Sequence, residues 1–178
     1  MKRLKNTHLD NKAIQKFGHT IASQGYTQVP NLLLEYQKEL KISNSELRLL
    51  LHILQHRWDN NPGKTHPALK KLIKFSGMSS ATIHRAKDKL IEKGYLKTLK
   101  MLRNPYRTHS YDITGLLTAL RVEFHRTMQK KLESGAISKK EYEGYLEDTK
   151  LEIEYEKSKS EFDVFQNESQ GSSEMKHY

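Results

Sequence analysis

Two short helical stripes with one glycine-bearing break between them constrain this chain more than any other feature. The first lies in PALKKLIKFS, where Leu69, Leu72, Ile73 and Phe75 supply the apolar side. Pro67 suits the first position of that helix, where its missing N–H costs nothing. Gly77 ends it. Ser79 then stands where a helix N-cap is needed, and Ile83, Ala86 and Leu90 follow as a stripe spaced three and four residues apart. Lys93-Gly94 closes the second helix, with glycine suited to the left-handed terminal conformation.

The flanking segments extend the pattern. Upstream, Ser43 and Glu46 have capping-box spacing, and Leu47, Leu50, Leu51, Leu54 and Trp58 share one face of a helix predicted over 44–58. The loop DNNPGKTH ends that helix. Before it, Tyr26–Val29 reads as a short extended piece ended by Pro30, and Asn31 as the cap of a one-to-two-turn helix through Gln37. In the first 25 residues, Ile14, Phe17 and Ile21 fit a short amphipathic helix opened by Asp10, while Gly18 leaves a poorly ordered basic arm equally open. Downstream, YLKTLKML reads as a strand, Arg103 to Arg107 as a turn and His109–Thr114 as the returning strand. After Gly115, Leu116, Leu117, Leu120, Phe124, Met128 and Leu132 share a helical face to about Glu133. SGAIS is a turn, and Ser138 with Glu141 opens a second helix to roughly Lys159. Tyr142, Tyr145, Leu146, Leu151 and Ile153 are its apolar positions. The last residues are polar and read as disordered.

Charge divides the chain. Residues 1–109 carry 21 basic and 7 acidic side chains, a balance of +14; residues 110–178 carry 10 and 14, a balance of −4. A basic front half followed by an acidic back half suggests a polyanion-binding module and a segment of another kind. Hydrophobic residues are 35% of the total, a modest core rather than a large enzyme fold. With no cysteine there is no disulfide scaffold, thiol nucleophile or Cys-ligated metal, which is compatible with a reducing cytoplasm. The longest apolar runs, Leu32–Leu34 and Leu49–Leu51, are far too short for a membrane span, and the N-terminus has no apolar stretch of a secretory signal.

Helix, helix, short glycine turn, helix, hairpin is the order of a winged helix-turn-helix domain, a mainly α fold with a small β-hairpin wing. The run HPALKKLIKFSGMSSATIHRAKDKLIEKGYL resembles the winged-helix family of plasmid and phage replication proteins and related bacterial regulators. The points of likeness are a His-Pro pair, a Leu-rich helix, a small glycine turn, a Ser/Thr-rich helix start and a Lys-Gly-aromatic-Leu exit. The upstream YTQVPNLLLEY looks like that family's lead-in strand and Val-Pro-Asn turn. The resemblance covers about residues 26–114 and implies DNA binding, with Ser79–Lys93 as the recognition helix. Helical geometry agrees: with Ile83, Ala86 and Leu90 inward, Ala81, His84, Arg85 and Asp88 lie outward, flanked by Ser80, Thr82 and Lys89.

Arg85 is the candidate for a bidentate guanine contact, and Ser79, Ser80, Thr82 and His84 surround it at the reading end. Lys87 and Lys89 are candidates for phosphate contact, with Lys64, Lys70, Lys71 and Lys74 as a backbone-contacting rim. Asp88 departs from a basic surface and could pair with a neighbouring lysine. Arg103, Tyr106 and Arg107 in the wing could reach the adjacent minor groove.

Other signals are weak. His52 and His56 have metal-ligand spacing without a third ligand, and read as surface histidines. No catalytic constellation, Walker loop or cofactor fingerprint is present, so the expectation is a binding protein without cofactor. LESGAISKKEYEGYLEDTKLE resembles the SHOCT-type C-terminal helical motif through Leu132, Gly135, Ile137, Ser138, Glu141 and Tyr142, which implies oligomerisation or partner docking. The expected division is a basic arm (1–25), a winged helix-turn-helix (26–114), a helical hairpin (115–160) and a tail (161–178). The favoured function is sequence-specific double-stranded DNA binding in replication initiation or replisome organisation for a mobile element. The C-terminal helices would serve a homodimer or a host replication protein. A transcriptional repressor on an operator and a winged-helix adaptor without DNA binding are the alternatives.

Overall fold

The computed structural model describes residues 11–56, 67–100 and 109–154. Contacts divide the chain into two units, Met1–Ala119 and Leu120–Tyr178. The fold is mainly helical, with one two-stranded antiparallel sheet among the described residues.

In the first unit α1 (Asn11–Phe17) and α2 (His19–Ala22) are separated by Gly18 at φ +76°. That break takes Phe17 and Ile21 off a common face. Both are exposed, and the buried residues are Ala13 and Ala22, so the stripe expected from Ile14, Phe17 and Ile21 does not form. Asp10 lies outside the described residues. Residues 26–29 join no sheet, which corrects the expected lead-in strand. The next helix, α3 (Asn31–Glu35), has Pro30 rather than Asn31 at its N-cap and ends before Gln37; its buried side chain is Leu33.

Helix α4 (Asn44–Leu54) begins as the spacing requires. Ser43 Oγ accepts from Glu46 N, and Glu46 Oε2 accepts from Ser43 N, both halves of the capping box. Its buried face is Glu46, Leu49, Leu50 and Ile53, one position round from the expected stripe; Leu47, Leu51 and Leu54 are only half-buried. A helix with six apolar residues among 47–54 leaves its rotation open to sequence. The rotation is set by Glu46, which is drawn inside by an ion pair described below. The helix ends at Leu54, and Trp58 lies outside the described residues.

Helix α5 (Leu69–Ser76) has Ala68 at its N-cap, so Pro67 precedes the helix instead of starting it. An eight-residue helix packed on α4 and on α6 (Ser80–Glu92) buries one narrow stripe, Leu72 and Ser76. Leu69, Ile73 and Phe75 are exposed, contrary to expectation. Gly77 ends α5 in the left-handed conformation at φ 67°, as expected. Ser79 caps α6 by accepting from Thr82 N, and Ile83, Ala86 and Leu90 are its buried residues, as expected. Gly94, at φ +73°, follows the C-cap Lys93.

Strands β1 (Lys97–Lys100) and β2 (His109–Asp112) pair in the register Lys97–Asp112, Thr98–Tyr111, Leu99–Ser110 and Lys100–His109. The returning strand is shorter than expected: Asp112 Oδ1 accepts from both Thr114 N (2.8 Å) and Thr114 Oγ1 (2.6 Å), and α7 (Thr114–Glu133) starts there. Gly115 is inside that helix. A Cβ built on it would stand 1.9 Å from the Gly94 carbonyl oxygen, so the exit of α6 and the start of α7 approach as only a glycine at 115 allows. The core of this unit is Leu33, Leu49, Leu50, Ile53, Leu72, Ile83, Leu90, Leu96 and Leu116, each contributing ~1.5–3 kcal/mol by burial.

The second unit pairs the rest of α7 with α8, helical over 139–154 to the last described residue. Ser138 and Glu141 form the expected capping box: Ser138 N donates to Glu141 Oε2 (2.8 Å) and Glu141 N to Ser138 Oγ (3.2 Å). The bond from Ser138 N and a second from Ser138 Oγ to the same oxygen (2.8 Å) hold the Glu141 carboxyl below its ordinary value. Phe124 meets Tyr145 edge-on at 5.4 Å, and Arg121 pairs with Glu152 at 3.1 Å. Thr149 Oγ1 donates to Tyr145 O, so His125 Nε2 must be the donor in its 2.7 Å bond to Thr149 Oγ1.

Candidate nucleic-acid interface

The geometry of the interface starts with what fixes α5 against α6. Ser76, buried, donates from Oγ to Leu72 O and accepts from Met78 N (3.1 Å); its carbonyl accepts from Arg48 Nη1 of α4 (3.3 Å). One small polar side chain thus satisfies both sides of the turn that glycine permits. Gly77 marks the turn in the sequence; its organiser, Ser76, carries no such signal.

At the other end, the C-cap Lys93 reaches back to α4. Its Nζ donates to Glu46 Oε1 (2.8 Å) and to Lys41 O (2.7 Å), while Tyr95 Oη donates to Leu40 O (3.3 Å). Lys41 itself has φ +51°. Burial raises the Glu46 carboxyl, but the Lys93 bond, the two Ser43 bonds and the attraction of Lys93 outweigh it and leave the group below its ordinary value. The capping box announced Glu46; nothing local announced a lysine 47 positions on.

Held this way, α6 turns Ile83, Ala86 and Leu90 inward and leaves Ser79, Ala81, His84, Arg85, Asp88 and Lys89 exposed. Ser80 and Thr82 are half-buried. Ser79 Oγ is engaged with Thr82 N (3.1 Å) and Thr82 Oγ1 (2.9 Å). Arg85 lies along its own helix, with Nε donating to Ala81 O at 3.4 Å. Asp88 does pair with a neighbouring lysine, Lys87, at 3.6 Å. On α5, Lys70, Lys71 and Lys74 are exposed, and the helix holds no acidic residue. Arg103, Tyr106 and Arg107, like Lys64, lie outside the described residues; the stem of the hairpin that would carry the first three is β1–β2.

The weaker candidates do not assemble into a site. His56 Nδ1 bonds the His52 carbonyl (2.9 Å) and His52 Nδ1 meets Gln55 Oε1 (3.3 Å). Among the described residues no three His, Cys, Asp or Glu side chains come together as metal ligands, and no helix is long and apolar enough to cross a membrane.

The DnaD N-terminal domain family matches residues 29–132. The chain belongs to this family. The DnaD N-terminal domain is a replication-associated, winged-helix-like domain, in keeping with the replication resemblance of residues 26–114. Its match begins just before α3 and runs through nearly all of α7, so that helix counts with the DnaD-type domain in sequence. It stops at residue 132, where the segment expected to be SHOCT-like begins. No curated protein matches the chain.

Proposed function

We propose that this chain is a replication-initiation or replisome-organising protein of a plasmid, phage or other mobile element. In this reading it binds double-stranded DNA sequence-specifically in the cytoplasm, without catalysis. The observation that carries the reading is the outward row of His84, Arg85 and Lys89 on a helix anchored by Ile83, Ala86 and Leu90, beside the acid-free, triple-lysine surface of α5. Arg85 reads guanine through its guanidinium fork. Ser79, Ser80 and Thr82 stand at the positive end of α6 for phosphate or base contact. Lys89, Lys70 and Lys71 hold backbone phosphates, and Arg103, Tyr106 and Arg107 serve as the wing's minor-groove contacts. The acidic α8, with Leu146, Leu151 and Ile153 exposed, docks a second copy or a host replication protein.

Binding curves across a salt series test this. With about six phosphates neutralised, log affinity falls with log salt at a slope near −5. Arg85→Ala should cost ~1–3 kcal/mol and flatten discrimination between cognate and scrambled sites, whereas Lys70→Ala should weaken both alike. No binding at low salt rejects the reading.

A further inference from the structure

Among the described Phe and Tyr residues Phe75 has the most exposed ring, at 63%. Its surroundings follow from the turn of α5, about 100° per residue. Leu72 and Ser76 form the buried stripe. Leu69 and Ile73, 40% and 37% exposed, run along one side of that stripe. Phe75 lies on the other side, beside Lys71, with Lys70 and Lys74 facing away from the core. Phe75 is therefore separated from the other exposed apolar residues of its helix by the packed seam. Its company is cationic: the Lys74 ammonium stands 5.6 Å from the ring centroid. The ring occupies the last turn of α5, two residues before Gly77, next to the turn that opens α6.

A protein groove asks for contiguous apolar area, and this ring stands apart from any on its helix. A lone aromatic face among lysines, at the edge of a polyanion-binding surface, matches a nucleobase flanked by phosphates. In an intact duplex each base face is covered by its neighbours; an unpaired base offers one. We propose that Phe75 is a base-stacking residue, and that the DNA taken by this domain is duplex with unpaired bases next to the segment under α6. The inference rests on the DNA-binding reading of α6.

The test uses the full chain and two DNAs of one sequence, a perfect duplex and the same duplex with a three-nucleotide bubble beside the binding site. The bubble carries 2-aminopurine at an unpaired position. Wild type should bind the bubbled DNA about 10-fold more tightly, within the range a single stacked base supplies. The 2-aminopurine emission should change on binding. Phe75→Ala should lose the preference and the emission change while keeping its duplex affinity within about twofold. Phe75→Tyr should retain both, and Phe75→Leu, apolar without a π-face, should not. Thermal melts of the variants check folding, which a side chain this exposed does not govern. Equal wild-type affinity for the two DNAs overturns the stacking role and leaves the reading of α6 standing. A Phe75→Ala variant weakened equally on both makes the ring a duplex contact and also overturns it. No binding to either DNA rejects the reading of α6 and this inference together.

Discussion

Glu46→Gln isolates the ion pair that anchors α6. Glu46 is 1% exposed, and its carboxylate accepts from Lys93 Nζ at 2.8 Å as well as from Ser43 N. Glutamine keeps the shape and one acceptor oxygen; with that oxygen on Ser43 N, its amide NH2 faces Lys93 Nζ, so a charge-assisted bond of about 1.5–3 kcal/mol is lost. The Lys93 side chain is 27% exposed, so the released ammonium regains water and the ~3–5 kcal/mol of a fully buried broken pair does not apply. The expected loss is about 2 kcal/mol at pH 7, read by urea unfolding. The pH dependence gives a second reading. The folded-state pKa lies below the ordinary 4.5, so the ion pair's stabilisation is present in full above that value. It disappears as the pH falls through the lower folded value. The gap between wild type and Glu46→Gln should therefore close on acidification; Glu141, shifted the same way, is present in both proteins and cancels. Lys93→Met should cost more than Glu46→Gln, because it strands a buried carboxylate, and the two changes together should be strongly non-additive. A gap independent of pH, or simple additivity, would refute the argument.

Three further changes test the frame around the interface. Gly115→Ala, which in an open helix would gain ~1 kcal/mol, should instead destabilise by ~1–3 kcal/mol, seen as a lower melting temperature, because its Cβ meets the Gly94 carbonyl at 1.9 Å. Ser76→Ala should cost ~1–3 kcal/mol in urea unfolding and speed amide exchange at Met78, whose buried N–H loses its acceptor. Ser79→Ala removes an exposed cap and should cost about 1 kcal/mol in the same assay.

Much of this was legible in the sequence where the cause is local. The Ser43, Ser79 and Ser138 caps, the Gly77 and Gly94 stops and the Ile83–Ala86–Leu90 stripe depend on residues a turn apart, and the structure has them where the spacing says; Asn31 and Pro67 do not take the helix-start positions expected of them. The face of α4 was not legible, because Leu47 to Leu54 are apolar on nearly every side and the choice was made by Lys93, far away in the chain. Leu69, Ile73 and Phe75 belong to the apolar side of α5 by pattern and yet are exposed, because an amphipathic pattern counts apolar residues without knowing how many partners a short helix has. The outward face of α6 followed from its inward stripe; the residues that orient it, Arg48, Ser76 and Glu46, act through contacts that no periodicity records.

The anchoring of α6 also makes it a lever. Its 13 residues span ~20 Å at 1.5 Å each, with Lys93 tied to α4 at one end and the Ser79 cap at the other. A rotation of about 5° at the anchored end would carry the far tip ~1.7 Å, more than half a hydrogen-bond length. Arg85, ~12 Å along the helix from Lys93, would move ~1 Å, so in the proposed DNA-binding reading its aim is governed in part by the Glu46 carboxylate and Lys93. If α6 reads DNA as proposed, changes around Glu46, Lys41 or Tyr95 would retune which base pairs fit beneath it while leaving its outward side chains unaltered.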